Sequence, residues 1–238
     1  MSQGLSFGSV ADLYDEVRPS YPPAALRWVL GDEPRRVVDL GAGTGILTRV
    51  VRDLGHDVVP VEPDPAMRDR LARSTPGLTA LAGSAEHIPL PDGSVDAVVA
   101  GQAYHWFEPE AAHREIARVL TPGGLFAAIW NFRDESVPWV ARLSEIAEGV
   151  AQDRGIQEQL AERDFGHAFG PIERADFRHE VPMTAERLLR LVASRSYYVT
   201  ASPQKRAEVE AAVRDLASGL PERFTMPYVT AVYRAVRR

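Results

Sequence analysis

The stretch VVDLGAGTG, residues 37–45, decides the fold. A short apolar run ends in Asp39 and Leu40, and three glycines at 41, 43 and 45 then turn the chain. TGILTRVVRDLG (44–55) follows, with Ile46, Leu47, Val50, Val51 and Leu54 at helical spacing, Thr44 as the expected N-cap and Gly55 as the stop. A strand that passes through a glycine-rich turn into a helix is the opening unit of a parallel α/β sheet. The dinucleotide-binding form of this turn carries its third glycine five residues after the first, and here that position is Ile46.

The same alternation continues outward from this loop. RRVVDL (35–40) is the first strand, HDVVPVEP (56–63) the second, LTALAG (78–83) a weak third, SVDAVVAG (94–101) a fourth and GGLFAAIWN (123–131) a fifth. DPAMRDRLARS (64–74) and PEAAHREIARVL (109–120) are the helices between them. Such alternation implies right-handed crossovers and a mostly parallel sheet covered on both faces. After Asn131 the pattern changes. Residues 137–163 read as helical, IERADFRHEVPM (172–183) as an outer strand, and TAERLLRLVASRS (184–196) and SPQKRAEVEAAVRDLASGL (202–220) as helices, the second opened by a Ser202 cap and Pro203. FTMPYVTAVYRAVR (224–237) alternates as a final strand, with Pro227 suited to its start or to a sheet edge. The expected organisation is one domain over 1–238: an N-terminal segment at 1–34, an α/β core at 35–183, a helical cap insertion at 184–222 and the last strand at 223–238.

Composition narrows the class. The chain has 238 residues, a net charge of −6, 45% hydrophobic and 25% charged side chains, and no cysteine. That is an ordinary globular balance with no disulfide, thiolate nucleophile or zinc ribbon. The N-terminus lacks a basic patch followed by an apolar run, and no apolar stretch approaches the ~18 residues of a membrane span, so a cytoplasmic protein is expected. None of the six histidines falls at metal-ligand spacing and the acids form no calcium loop, so no metal is expected. Lys205 is the only lysine, beside 26 arginines.

Two further motifs follow the loop in order. Glu62 lies 21 residues after Gly41 at the end of the second strand, where a carboxylate can accept hydrogen bonds from both hydroxyls of a ribose. GSAEHIPLPDGSVDAVVAG (83–101) is the third. With these three motifs, residues 10–131 resemble the class I S-adenosylmethionine-dependent methyltransferases. In that family the turn at 84–86 usually has Asp then Ala, where this chain has Ser84-Ala85-Glu86. The resemblance implies a Rossmann-like, doubly wound α/β fold with seven strands, mostly parallel, the last antiparallel. It also implies S-adenosyl-L-methionine as cofactor. Asp39, Gly41, Ala42, Gly43 and Gly45 would surround its methionine part, and Glu62 would take the ribose. Pro63 and Met67 would lie near the adenine, with Ser84, Ala85 and Glu86 at the adenine edge and Gln102 and Ala103 facing the sulfonium. FGSVADLYDEVRPSYP (7–22) resembles the family's lid, so Tyr14 and Arg18 would close over the cofactor, Arg18 pairing its carboxylate.

The acceptor side is expected just past the fourth and fifth strands. In GQAYHWFEPE (101–110), His105 would be a general base or would orient the acceptor, while Tyr104, Trp106 and Phe107 would wall the pocket. The bland reading is a neutral, hydrogen-bonded histidine beside aromatics that cap the sheet. The HWF run also looks like that of relatives of the trans-aconitate methyltransferases, which act on small carboxylic acids. Trp130, Asn131 and Arg133 leave the fifth strand at the same end, with Trp130 divided between acceptor wall and core. SRSYY (194–198) offers Arg195 and Tyr197 to a polar or anionic acceptor, or its tyrosines to cap packing.

The leading expectation is therefore methyl transfer to a small molecule by in-line displacement, resting on positioning rather than on a metal or triad. Protein or nucleic-acid methylation, a non-catalytic cofactor-binding protein of the same fold and a nicotinamide oxidoreductase are the rivals. The last lacks its glycine at Ile46. No membrane partner is expected, and the acidic balance argues against nucleic acid. Residues 184–238 nonetheless hold 10 basic and 5 acidic side chains, among them Arg187, Arg190 and Arg195, which leans toward an anionic acceptor.

Overall fold

A computed structural model describes residues 15–147 and 164–238. Its elements, in chain order, are α1 (Pro23–Leu30), β1 (Arg36–Leu40), α2 (Ile46–Asp53), β2 (Asp57–Val61), α3 (Pro65–Ser74), β3 (Val95–Gly101), α4 (Pro109–Val119), β4 (Leu120–Arg133), α5 (Pro138–Ile146), β5 (Glu173–Met183), α6 (Ala185–Ala193), α7 (Ser196–Val199), α8 (Pro203–Ser218) and β6 (Phe224–Val236). A 3₁₀ turn at Tyr104–Trp106 follows β3.

The sheet runs β2-β1-β3-β4-β6-β5. β1 to β4 are parallel, and β6 is inserted antiparallel between β4 and β5. Six strands form where seven were expected. The segment 78–83 reaches the sheet only as a bridge from Leu81 to Val61, with Leu81 N–H donating to Pro60 and its carbonyl accepting from Glu62. Apart from Thr79, its Leu, Ala and Gly residues lack the β-branched side chains that favour an extended ladder, and the tight turn at 84–87 ends it. Pro227 sits at the start of β6. The last β4 pair is Arg133 with Tyr228, so the missing N–H of Pro227 breaks no β4 ladder pair, and its carbonyl accepts from Asp134 just past β4 at 3.0 Å.

Helix boundaries follow local chemistry. Asp64 caps α3 by accepting from Ala66 and Met67, Thr184 caps α6, and Ser202 caps α8 with Pro203 at the first position. At α2 the expected Thr44 cap is replaced. Gly45, with φ of 86°, occupies the cap position, and the Thr44 hydroxyl donates instead to Asp15 at 2.9 Å. The expected helix over 137–163 is seen as α5, and residues 148–163 lie outside the described part.

Apolar side chains fill both faces of the sheet. Val38, Leu40, Phe126, Ala128, Trp130 and Tyr233 meet α4 and the 165–169 segment on one face. Val37, Val99, Leu125, Ala127, Ile129 and Val232 meet α1 and α2 on the other. A third cluster joins α6 and α8 to Leu143 of α5, Met226 and Tyr228 of β6, and Val17 ahead of α1. This cluster sets the helical cap at the carboxyl end of the parallel strands, where ligands of open α/β sheets bind. No described helix is long and apolar enough to cross a membrane.

Candidate active site

The glycine loop leaves β1 and immediately touches β2, because Gly41 and Ala42 N–H both donate to the Val61 carbonyl at 2.9 and 3.1 Å. Gly41 has φ of 71°, and a Cβ there would lie 2.7 Å from the Ala103 Cβ. The backbone thus passes β3 too closely for any side chain. Two residues on, Gly43 N–H donates to Glu62 Oε2 at 2.8 Å, and Asp64 N–H donates to Glu62 Oε1 at 2.9 Å. One buried carboxylate therefore pins the loop to the end of β2, with lone pairs left on both oxygens. Burial raises the pKa of Glu62, and these two N–H bonds work against the rise.

Asp39 is buried on the α2 side of β1. Its Oδ2 accepts from the Thr48 hydroxyl at 2.6 Å, and its Oδ1 has no partner. Burial first, then the charge of Glu62, pushes its pKa up to about 7. A buried acid with a spare oxygen beside a glycine cradle fits a ligand that brings both positive charge and hydrogen-bond donors.

The chain ahead of α1 lies across this end of the sheet as a strap. Asp15 is gripped by Thr44, Arg49 (2.6 Å) and Arg70 (3.0 Å), which joins the strap to the glycine loop, α2 and α3. Glu16 pairs with Arg190 of α6, and Arg18 donates to the Ser194 carbonyl at 3.2 Å. The Ser20 carbonyl accepts from Asn131 at 3.2 Å, and a Cβ on Gly101 would meet the Tyr21 hydroxyl at 2.6 Å. On the opposite flank, Ser84 and His87 close a tight turn beside β2. Arg118 holds the next segment through the Ile88 and Leu90 carbonyls at 2.9 and 2.8 Å.

Beyond the loop, Gln102 leaves β3 with φ of 55°, the one non-glycine residue with positive φ among those described. Its N–H donates to Ile129 and its side-chain amide to the Asn131 carbonyl at 3.3 Å, which over-determines a strained backbone at the sheet end. Farther along, Arg133, Tyr228 and His179 stand in one row across β4, β6 and β5. The Thr230 hydroxyl donates to Asn131 Oδ1 at 2.6 Å and faces His179 Nδ1 at 3.3 Å. His179 stacks on Tyr228 with centroids 5.6 Å apart, and burial lowers its pKa. The Tyr228 hydroxyl and His179 Nε2 are buried without partners.

The sequence expectations divide accordingly. Asp39, Gly41, Ala42, Gly43, Gly45, Glu62 and Ala103 come together around the loop, with Met67 buried on α3, Pro63 exposed at the rim and Ala85 buried in the 84–87 turn. Glu86 is exposed and accepts from Glu108 N–H at 2.9 Å. Asn131 and Arg195 stand on the strap-and-cap side. Two expected acceptor residues lie elsewhere. Tyr104 is buried in an aromatic cluster with its hydroxyl 2.8 Å from His113 Nε2, and Trp130 is 1% exposed between Tyr104 and Tyr233. The pleat sends Trp130 to the α4 face while Asn131 and Arg133 take the other. Trp106 is 42% exposed, and His105 is half-buried against it. Arg18 donates to the Ser194 carbonyl in the cap. Tyr14 lies outside the described residues, as does the side chain of Tyr197 on α7. His179, Tyr228 and Thr230 escaped sequence reading; Tyr228 and Thr230 stand out only as hydroxyl-bearing residues in a largely apolar strand, and His179 is one polar residue among several in β5.

This geometry accords with the comparisons. Residues 38–128 match the methyltransferase domain family. An uncharacterized methyltransferase of Mycobacterium bovis is 43% identical over 237 residues, covering 97% of this chain and 95% of its own. The chain belongs to the class I S-adenosylmethionine-dependent methyltransferases. Among solved structures, a protein of Anaeromyxobacter dehalogenans described as a type II methyltransferase shares the fold at TM-score 0.65 and 24% identity, over 93% of this chain and 97% of that one. A phosphoethanolamine N-methyltransferase of Haemonchus contortus, in complex with S-adenosylhomocysteine, shares it at TM-score 0.57 and 16% identity, over 100% of this chain and 60% of that one.

Cofactor binding should be linked to pH through Asp39. Its carboxyl ordinarily titrates at 3.8 and here at about 7, so the folded chain holds an extra proton between those values. The stability this proton contributes is complete below pH about 4 and is lost as the pH rises through about 7. A bound ammonium group favours the ionised acid, so S-adenosylhomocysteine should bind more tightly as pH rises through 7 and release a proton. Calorimetry in two buffers of different ionisation enthalpy measures that release. Asp39→Asn should abolish it, and an unchanged release would assign the proton to another group.

Proposed function

We propose that this enzyme methylates a small-molecule acceptor held beneath the strap and the helical cap. The observation that carries this reading is that both cover the acceptor end of the sheet, so that Tyr228 at its floor is 1% exposed. A covered site of that kind suits a small molecule better than a polymer. S-adenosylmethionine, when bound, supplies a methyl group on a sulfonium whose departure needs no further activation. The chain's own task is then to align the acceptor, and positioning of this sort can supply about 7–11 kcal/mol of a barrier. Glu62 and Gly43 hold the loop, the strained Gln102 sets the end of β3, and the Asp15 cluster keeps the strap in place.

A base contributes about 10²–10⁴-fold, and only where the acceptor must lose a proton. His105, in the turn directly after Gln102, is the candidate for that role. His105→Ala is predicted to lower kcat at least tenfold while the S-adenosylhomocysteine Kd stays within twofold; equal losses in both would make it a structural residue. The acceptor class is tested with a radiolabelled methyl donor offered to a metabolite panel, to bulk transfer RNA and to protein extract. Label appearing in small molecules supports the proposal, and label confined to RNA or protein overturns it.

A further inference from the structure

The strap-and-cap side contains a polar nest that the transfer reaction alone does not explain. At its floor the Tyr228 hydroxyl is buried without a hydrogen-bond partner, which native proteins seldom tolerate. Arg133 stands directly beside Tyr228 on β4 and is itself buried. Arg187 enters from α6, with one N–H on the Pro182 carbonyl at 3.0 Å and its buried Nε unpartnered. Arg18 arrives from the strap and donates to Ser194, the neighbour of Arg195. The charges of Arg195, Arg133, Arg18 and Arg187 all act on the Tyr228 hydroxyl and oppose the rise in its pKa that burial causes.

Arg187 and Arg195 differ from Arg190 of α6, which Glu16 neutralises. Among the described residues no carboxylate pairs with Arg187 or Arg195. Guanidinium groups brought together in a covered site repel one another, and a ligand with oxyanion character reverses the sign of that interaction. An unsatisfied hydroxyl donor in their midst has the matching requirement. The row lies two strands beyond β3, roughly 10 Å along the sheet from Gln102, on the side away from the glycine loop.

We infer that Arg133, Arg187, Arg195 and the Tyr228 hydroxyl, with Arg18 from the strap, form an oxyanion subsite that binds a carboxylate or phosphate group of the acceptor. This inference rests on the small-acceptor reading above and names the chemistry that the acceptor carries.

The test uses the full chain saturated with S-adenosylhomocysteine and titrated calorimetrically with citrate, with inorganic phosphate and with neutral triethyl citrate. The expected result is binding of citrate or phosphate but not of the ester, weakened about tenfold in Arg195→Gln and at least threefold in Tyr228→Phe. Whichever anion binds more tightly distinguishes a carboxylate from a phosphate. Tyr228→Phe removes only an unpartnered hydroxyl, so its melting temperature should equal or exceed that of the parent chain. The inference is overturned if neither anion binds, if the ester binds equally well, or if both variants bind as the parent does. Because binding is read without turnover, that failure leaves methylation of a neutral small molecule standing. Label confined to a macromolecule with anion binding intact would instead overturn only the small-acceptor reading.

Discussion

Glu62→Ala should lower S-adenosylhomocysteine affinity by a hundredfold or more while leaving a folded chain. The carboxylate accepts from Gly43 at 2.8 Å and from Asp64 at 2.9 Å, so one side chain sets the path of the loop and the end of β2 together. Hydrogen bonds to a charged group contribute about 1.5–3 kcal/mol each, and a hundredfold in affinity corresponds to roughly 2.7 kcal/mol. Losing the loop geometry, together with the ribose contact that the family resemblance implies for Glu62, reaches that figure. Folding suffers less. Burial already disfavours the ionised acid, so its removal relieves a desolvation cost that offsets part of the lost bonding, leaving a net loss on the order of 1 kcal/mol. Glu62→Gln keeps one acceptor oxygen but turns an NH₂ toward the second N–H, and should fall between the two. Calorimetric titration and a thermal melt on the same samples measure both effects, and unchanged affinity in the alanine variant would remove Glu62 from the site.

Trp130→Ala should act in the opposite way, on stability before chemistry. The indole is 1% exposed and meets Tyr104 and Tyr233 edge-on at 6.0 and 6.2 Å. Truncating a fully buried tryptophan costs about 3–5 kcal/mol, and a chain of this size loses roughly 2–4 °C of Tm per kcal/mol, so a fall of about 6–20 °C is expected. Trp130→Phe should lose much less, because the indole N–H has no partner to abandon. A normal melt combined with a raised acceptor KM in the alanine variant would return Trp130 to the acceptor wall.

The contrast between these residues shows which parts of the site were legible beforehand. Glu62 and Gly43 are 19 positions apart, and their meeting follows from one strand–turn–helix–strand unit whose geometry is nearly invariant. Arg18 also lay in a recognisable segment, but its direction depended on the Asp15 cluster that anchors the strap three residues earlier. Trp130 and Asn131 are neighbours in sequence, and the strand pleat sends them to opposite faces. No pattern in GGLFAAIWN says which of the two faces carries the acceptor. The weak strand at 78–83 was legible as extended chain, while its failure to pair beyond one bridge depended on the turn and on Pro89 packed against Gly83.

By itself the sequence determined the α/β class, because short-range spacing and the right-handed crossover leave few arrangements, while the reversed last strand and the cofactor residues were implied by the family resemblance. Only the tertiary structure decided the polar row beneath the cap. His179 and Tyr228 are far apart in the chain, and they stack only because β6 inserts between β4 and β5. The arginines around them come from the strap, β4 and the cap, three segments whose meeting depends on non-local packing. Strand order and cap docking are set by the burial of the whole apolar surface, a sum over distant residues that no local motif records.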